Sequence, residues 1–289
     1  TLTDYFCENY RPRIFKSSKY IENNYEDDKK GIIAKYNQNG YRDAHIISDS
    51  IYKIDDKNMG IAITLEEGDK YYFRDISWVG NTKYDTATLN RVLGINKGDV
   101  YNQELLQTNL QYNEGGYDIS SIYMDDGYLF FNVNPVEVRV ENDSIDLEIR
   151  IYEGDQAKIG KVSVKGNTKT NDHVVIREMY TKPGQLFSRS DVIRTTRELA
   201  ALGYFNAETL NPNIQPDPTD GSVDIEYIVE ETSSDQIELS AGWGYNKLIL
   251  TLGLTLNNFS FRNMFKKGAW TPLPGGDGQK LSLRVQTYG

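Results

Sequence analysis

The sequence has little of the chemistry that disulfides and metal sites need, with one cysteine and two histidines among 289 residues. Cys7 has no second cysteine to pair with, so a disulfide within these residues is excluded. His45 and His173 lie far apart in the sequence, and neither has a histidine, cysteine or carboxylate at metal-ligand spacing. We therefore predict no metal site and no cofactor.

Positive charge and long apolar runs are also scarce. Lys and Arg number 32 against 42 Asp and Glu, which gives a formal net charge of −10. A field of this sign repels phosphate backbones and anionic lipid headgroups, so we predict that the chain binds no nucleic acid. No stretch approaches the roughly 18 consecutive apolar residues of a membrane helix. Thr1 begins neither a basic nor an apolar leader segment, so we expect a processed or cut N-terminus.

Sequence patterns of catalytic sites are missing as well. The chain contains no Gly-x-Ser-x-Gly nucleophile motif. Acidic pairs occur at Asp27-Asp28, Asp55-Asp56 and Asp125-Asp126. Such charges are usual in turns and solvated helix starts, so we interpret them as structural rather than as acid–base or calcium-binding groups. The sequence therefore predicts a chain without enzymatic activity.

The chain does contain an internal repeat. A Gly-Tyr pair is followed further along by an alternating apolar run, and a Gly-Asn-Thr phrase follows a short apolar run. The Gly-Tyr pairs are Gly40-Tyr41, Gly127-Tyr128 and Gly203-Tyr204; the Gly-Asn-Thr phrases begin at Gly80 and Gly166; the alternating runs cover 61–65, 145–149 and 223–227. Matching phrases in matching order define a repeated module.

The copy at 158–231 shows the order of elements within a module. A short apolar strand ends at Gly166-Asn167, and a first helix capped by Asn171 or Asp172 is broken by Pro183-Gly184. Ser188 caps a second helix that ends at Gly203. We place the second strand at 204–210, a hairpin loop at 212–221 and the third strand at 222–229. The predicted order is β-α-α-β-β, with two helices on one face of a three-stranded sheet.

The other two copies fit this order to different degrees. In the middle copy we predict helices at 85–93 and 102–112. The first copy is incomplete, with a predicted helix near 25–36 and strands near 41–51 and 59–65. Its opening strand and first helix have no clear counterpart in the sequence.

The end of the chain changes from helical signals to strict alternation. Apolar residues share one face from Ile237 to Tyr245, then, after a turn at Asn246-Lys247, from Leu248 to Leu256, and again from Leu281 to Val285. This periodicity is typical of membrane β-barrel strands, although a soluble hairpin covering a core shows it too. Three strands are too few for a barrel, which needs about eight or more, so we expect further strands beyond Gly289.

The repeated phrases resemble those of polypeptide-transport-associated (POTRA) domains, and modules that run directly into barrel strands resemble the BamA-type assembly factors. The segments 258–265 and 275–279 resemble the start of that family's barrel in a Bacteroidetes-like form. The resemblance implies an α+β fold of tandem βααββ POTRA modules followed by the first antiparallel strands of a truncated transmembrane β-barrel. The predicted domains are 1–69 (a partial module), 70–155 and 156–233 (complete modules) and 234–289 (barrel strands).

The same resemblance implies an outer-membrane protein whose modules lie in the periplasm and receive unfolded outer-membrane proteins. Its partners would be these clients, accessory periplasmic lipoproteins and, through the barrel, the outer membrane. Because an exposed sheet edge can accept an extended chain, we predict client binding along the second strand of each complete module. The predicted residues are Tyr128, Leu129, Phe130, Phe131, Asn132 and Val133, and Tyr204, Phe205, Asn206, Ala207, Glu208, Thr209 and Leu210.

Three alternatives to an assembly factor remain open at the level of the sequence. The first is a secretion transporter of the two-partner type, which uses the same modules to export one partner. The second is a barrel-anchored enzyme, such as a patatin-like lipase, whose catalytic domain lies outside this sequence. The third is a periplasmic scaffold in which the last strands form an ordinary hairpin.

Overall fold

A computed structural model describes residues 20–55, 58–113, 115–217, 219–244, 247–266, 270 and 273–288. Thr1, Cys7, Asp56, Tyr245 and Asn246, which entered the sequence analysis, lie outside these ranges. The described residues fall into two compact units. One contains the residues up to Ile122 together with Phe131–Glu153, and the other contains Tyr123–Phe130 together with the residues from Gly154 onward.

Two modules have the predicted βααββ order, with one additional short helix in the middle module. The middle module contains β3 (Tyr72–Val79), α2 (Thr86–Leu93), α3 (Gln103–Gln111), α4 (Ile119–Met124), β4 (Asn132–Glu141) and β5 (Ser144–Tyr152). The last module contains β6 (Lys158–Lys165), α5 (Asp172–Ile176), α6 (Arg189–Ala201), β7 (Asn211–Asp217) and β8 (Ser222–Ile228). The short helix α4 is an element that the sequence analysis did not predict.

In both modules the third strand lies at the centre of the sheet. The strand orders are β3-β5-β4 and β6-β8-β7. The central strand pairs in parallel with the first strand and antiparallel with the second. The first and second strands are therefore the two edges of each sheet.

The first module is smaller within the described residues. It consists of α1 (Glu22–Gln38) and an antiparallel pair, β1 (His45–Lys53) and β2 (Met59–Glu66). Its contact with the middle module includes a hydrogen bond of 2.9 Å from the Tyr71 N–H to the Gly40 carbonyl. A bond of 2.8 Å from the Ala157 N–H to the Gly127 carbonyl is its counterpart in the second unit. The Gly-Tyr phrase thus ends a helical segment and binds the chain that enters the next sheet.

The end of the chain forms a third kind of sheet, in the order β11-β10-β9. Its strands are β9 (Gln236–Gly244), β10 (Lys247–Phe259) and β11 (Gln279–Tyr288), and both pairings are antiparallel. The three alternating runs of the sequence are therefore confirmed as strands. None of the helices in the described ranges has the length and apolar character needed to cross a bilayer.

Side-chain caps begin three of the helices, and the cap at Ser188 is the predicted one. The side chains of Asp85, Asn102 and Ser188 accept hydrogen bonds from the backbone N–H three residues on, at 3.1, 2.9 and 3.2 Å. Asn171 precedes α5 as predicted, but its side chain accepts no capping bond, and its amide nitrogen donates to Asp277. Side-chain capping therefore fixes three of these helix starts, and the fourth lies against a distant loop.

The core of the last module lies between its helices and the inner face of its sheet. Val223, Ile225 and Tyr227 alternate along β8 and are fully buried or nearly so. They belong to one cluster with Val174 and Val175 of α5 and with Val192 and Leu199 of α6. Side chains at period two on the strand thus meet side chains on one helix face, which is the packing that the repeat predicts.

The predicted position of the second strand is wrong in both modules. We placed it at 128–133 and 204–210, whereas β4 begins at Asn132 and β7 begins at Asn211. The aromatic runs Tyr-Leu-Phe-Phe and Tyr-Phe have high strand propensity, but the chain turns there as it leaves a helix. Phe131, Tyr204 and Phe205 are buried, so tertiary burial overrides local propensity there. The segment that we read as a proline-rich loop contains the actual strand β7.

A carboxylate holds the loop that begins with each Gly-Asn-Thr phrase. Glu231, which ends the last module, accepts hydrogen bonds from the Thr168 hydroxyl at 2.7 Å and from the Lys169 and Thr170 N–H groups at 2.8 and 2.6 Å. Glu153 accepts equivalent bonds from Thr82 and Lys83 in the middle module. The glutamate and the Gly-Asn-Thr phrase are therefore two halves of one structural motif.

The glycine of the phrase is required by close packing. Gly166 has a φ of +103°, and a Cβ atom there would overlap the carbonyl oxygen of Val229. Gly203 also has a positive φ, +72°, but a Cβ atom there would meet no atom within 4 Å. The two glycines thus share the left-handed conformation and differ only in the space around them.

We expect Gly166→Ala to lower the free energy of unfolding by at least about 3 kcal/mol, because strain and overlap act together. The matched control Gly203→Ala should cost only about 1–2 kcal/mol, since only the backbone is strained. Urea unfolding of the chain, followed by circular dichroism, measures both values. Equal losses in the two variants would contradict the packing role of Gly166.

The pKa of Glu231 gives a second prediction. Burial alone would raise this pKa, but the bonds from Thr168 and Thr170 lower it overall. A lowered pKa stabilises the fold above about pH 4.3, the unfolded value, and this contribution disappears as pH falls through the folded pKa. We expect Glu231→Gln to cost about 1–3 kcal/mol at pH 7 and to flatten the acid limb of the stability profile. Glu230→Gln, the control with the same charge change, should leave the profile almost unaltered.

Candidate interaction surfaces

The free edge of the middle module is β4. In an antiparallel pair, residues alternate between those that bond the partner strand and those whose N–H and C=O groups point away from it. Glu141 and Ser144 flank a two-residue turn and form a bonding pair, so Val140, opposite Ile145, points outward. A bulge interrupts the register between Glu137 and Arg139. On the other side of the bulge, Pro135 has no N–H to donate and must also point outward.

The free edge of the last module is β7, and its register with β8 is continuous. Pro212, Ile214 and Pro216 lie opposite the buried residues Tyr227, Ile225 and Val223. The backbone groups of these three residues point in the same direction. Because proline has no N–H to donate to β8, that direction must be away from β8. The outward row of β7 therefore contains two prolines and one N–H group, that of Ile214.

Most of the predicted client-binding residues lie outside these edges. Tyr128, Leu129, Phe130 and Phe131 form the turn before β4, and only Asn132 and Val133 belong to the strand. Tyr204, Phe205 and Leu210 are buried, and Asn206, Ala207, Glu208 and Thr209 form a turn closed by bonds to Asn206. The Tyr204 hydroxyl donates to the Gly278 carbonyl at 3.2 Å. Residues 204–210 therefore lack the free strand edge that the prediction assumed.

The last sheet has one apolar and one polar face. Leu250, Leu252 and Leu254 of β10 lie opposite Ala241, Leu239 and Ile237 of β9 and opposite Thr287, Val285 and Leu283 of β11. Directly paired residues share a face, so the apolar stripes of three strands join into one surface. Ile237, Leu239 and Trp243 are 77%, 83% and 74% exposed. A surface of this kind is characteristic of an interaction site or a membrane contact.

The opposite face carries an ion pair that crosses the central strand. Glu238 on β9 and Arg284 on β11 both lie opposite Gly253, and the Arg284 guanidinium donates to Glu238 at 2.5 Å. The missing side chain of Gly253 leaves room for this contact, since a Cβ atom there would lie 3.1 Å from that of Glu238. The Thr255 and Ser282 hydroxyls meet on the same face at 3.0 Å. The sheet is thus polar on one side and apolar on the other.

The connection between β10 and β11 packs on the last module within the second unit. The buried carboxylate of Asp277 accepts from the Asn171 amide at 2.8 Å and from the Ser260 hydroxyl at 2.5 Å. Asn258 donates to the Thr170 hydroxyl at 2.8 Å and accepts from the Gly278 N–H at 2.9 Å. These bonds join the loop to the start of α5, so we call residues 258–260 and 275–278 the docking loop.

The charged groups considered in the sequence analysis make ordinary structural contacts. Asp27 pairs with Lys30, Asp55 accepts from Asn58, and Asp125 accepts from the Ser190 N–H. His45 lies near Glu66, and His173 lies 3.7 Å from Asp277. In the ranges that the structure describes, no three His, Cys, Asp or Glu side chains are grouped so as to hold a metal ion.

Comparison with known proteins identifies the family. The POTRA family model, described as a surface antigen variable number repeat, matches residues 71–154 and 157–232, more than half of the chain. The chain belongs to the POTRA family. Its two matched segments coincide with the middle and last modules described above.

Two curated relatives of this POTRA chain are named as outer-membrane protein assembly factors, one of them as putative. It is 27% identical over 232 residues to the putative outer membrane protein assembly factor of Treponema pallidum (strain Nichols), covering 78% of this chain and 27% of that protein. It is 26% identical over 258 residues to the outer membrane protein assembly factor BamA of Neisseria meningitidis serogroup B, covering 85% and 30%. The chain thus spans less than a third of the length of these curated relatives.

A solved structure has the same fold. The crystal structure of Haemophilus influenzae BamA POTRA3-5 superposes with a TM-score of 0.60 at 21% identity, covering 79% of this chain and 91% of that chain. The predicted fold class and the resemblance to BamA-type factors are therefore confirmed. The Bacteroidetes-like form and the domain boundaries stay predictions.

Sequence reasoning missed the residues that form the POTRA edges, Asn134–Glu141 and Asn211–Asp217. Alternating valines at 136, 138 and 140 followed by Asn142-Asp143 were a usable signal for the first strand and its turn. In the second segment, prolines at every fourth position suggested a loop. Proline is compatible with an edge strand when its nitrogen points away from the sheet, so this segment was also compatible with an edge strand.

The docking loop yields a prediction about Asp277, whose pKa is lowered chiefly by the hydrogen bond from Ser260. Asp277→Asn replaces one acceptor oxygen by a donor, so it should lose about 1–3 kcal/mol of local stability. We expect hydrogen exchange in the docking loop to accelerate about tenfold while exchange in β5 stays unchanged. Asp220→Asn, in the exposed β7–β8 hairpin, is the control, and unchanged exchange in Asp277→Asn would contradict the docking role.

Proposed function

We propose that this chain is the periplasmic POTRA region and first barrel strands of an outer-membrane protein assembly factor of the BamA type. The modules lie in the periplasm and receive unfolded outer-membrane proteins by adding an extended client segment to a sheet edge. The last sheet enters the outer membrane with its apolar face toward lipid, and the assembly promotes insertion of the client. Accessory periplasmic lipoproteins are the further partners of this role.

The observation that supports this proposal most directly is the continuity of the chain from edge-bearing modules into the two-faced sheet. Backbone hydrogen bonding along an edge tolerates many sequences, which suits a protein with many clients. The apolar stripe of β10 runs from Leu248 to Leu256, a length of about 27 Å at 3.4 Å per residue. At the strand tilt of about 35–45° found in outer-membrane barrels, this length spans about 19–22 Å along the membrane normal, which is most of an apolar band about 25 Å tall.

The proposed role needs no catalysis. Strand addition exchanges hydrogen bonds with water for hydrogen bonds with a client, and burial of the client's apolar side chains drives insertion. The relatives' names as assembly factors favour this role over a secretion transporter or a barrel-anchored enzyme.

A peptide with the sequence of β11, residues 279–288, tests the proposal because it is an alternating strand of the client type. We expect the labelled peptide to bind the chain in detergent saturably, as measured by fluorescence anisotropy. An analogue N-methylated at alternate residues keeps the side chains but cannot bond on one edge, so it should bind at least about tenfold more weakly. Equal binding of both peptides, or of neither, would refute client capture by strand addition.

A further inference from the structure

We propose that, of the two second-strand edges in the complete modules, β4 and not β7 accepts an added strand. Its occupant is an extended segment of an unfolded outer-membrane protein. This inference rests on the proposed function and identifies where that function takes place. It follows from whether the backbone N–H and C=O groups that point away from each sheet are bonded, missing or open.

The beginnings of the edges β3 and β6 are occupied by the chain's own loops. The Phe73 N–H donates to the Asp99 carbonyl at 2.9 Å, and the Phe73 carbonyl accepts from the Gly98 N–H at 2.6 Å. In the last module the Ile159 N–H donates to the Gln185 carbonyl at 2.8 Å, and the Ile159 carbonyl accepts from the Gly184 N–H at 2.7 Å. The loop between the two helices thus pairs with the first strand in both modules. An incoming strand would have to displace it.

The edge β7 is closed in a different way. Pro212 and Pro216 leave Ile214 as the only outward N–H donor of a seven-residue strand. A strand added there would accept one hydrogen bond where an unmodified edge of this length offers three, and the proline rings would crowd its backbone. Natural sheets use edge prolines for this purpose, to prevent unwanted strand pairing.

The edge β4 retains most of its donors. Its outward positions are Val133, Pro135, Glu137 and Val140, and only Pro135 lacks an N–H group. The Val133 carbonyl has a long contact of 3.4 Å with the Gln111 amide, which covers the beginning of the strand. The open part is therefore the second half, from Glu137 to Glu141.

The side chains of this half suit an alternating client. Val138 and Val140 are 52% and 45% exposed, so the edge offers apolar contact beside its free donors. Arg139 and Glu141 form an ion pair at 2.9 Å, and Glu141 also pairs with Arg74. These charges are mutually neutralised, so the strand imposes little preference for a charged client. Alternating apolar and polar residues, as in β11, complement such a surface.

The variant Val140→Pro removes an outward donor without removing a bond to β5, as Pro135 already does in the same strand. We expect it to weaken binding of the 279–288 peptide about tenfold while the thermal unfolding transition stays in place. The opposite variant, Pro135→Val, adds a donor to β4 and should tighten binding several-fold. The two changes lie in one strand and act in opposite directions, so general destabilisation does not explain both.

The double variant Pro212→Val/Pro216→Val opens β7 and should add one bound peptide per chain. A photoreactive benzoyl group on the peptide, with mapping by mass spectrometry, should give β4 adducts in the parent chain and additional β7 adducts in the double variant. Adducts on β7 in the parent chain, or full binding by Val140→Pro, would overturn the assignment to β4 while leaving client capture intact. Absence of binding to the parent chain would refute the proposed function itself.

Discussion

A three-stranded sheet leaves two rows of backbone N–H and C=O groups without a neighbouring strand, and this constraint governs much of the structure. Each free row is a template for pairing with another chain. In both complete modules the beginning of the first-strand row is covered by the loop between the helices. The second-strand row differs, since it is largely proline-blocked in β7 and mostly unblocked in β4. The two modules therefore share a fold and differ in how many backbone N–H donors the second-strand edge offers.

The same constraint explains why the module keeps its shape across different sequences. The central strand satisfies its backbone on both sides, and the first strand runs parallel to it, so a helical connection must cross between them. The end of the third strand returns beside the start of the first loop, where Glu153 or Glu231 binds the Gly-Asn-Thr turn. The turn needs a residue without a side chain because the carbonyl of Ile151 or Val229 lies against it. The phrases that identify the repeat are thus the points where the two ends of the module meet.

Local signals made much of this fold predictable from the sequence. Caps at Asp85, Asn102 and Ser188 act through bonds to residues three positions away, so a single sequence suffices to find them. The alternating strands β9 to β11 were equally clear. The second strands were misplaced because aromatic runs at 128–131 and 204–205 have strand propensity, yet both runs lie between a helix and the true strand, with Phe131, Tyr204 and Phe205 buried. The hydrogen bond between Asn171 and Asp277 joins residues 106 positions apart, so no local sequence pattern predicts it.

The position of the docking loop has a consequence for the last sheet. In the register of β9, β10 and β11, Gln236 lies opposite Thr255 and Phe259 lies opposite Gln279, so the start of β9, the end of β10 and the start of β11 lie at the same end. The long connection from β10 to β11 emerges at that end, whereas outer-membrane barrels usually have short turns on the periplasmic side. A long connection is tolerated here because it is bound, with Phe259 and Ser260 buried and Asp277 satisfied by two donors. The loop therefore fixes the last module to the sheet by buried polar contacts, and the two form one compact unit.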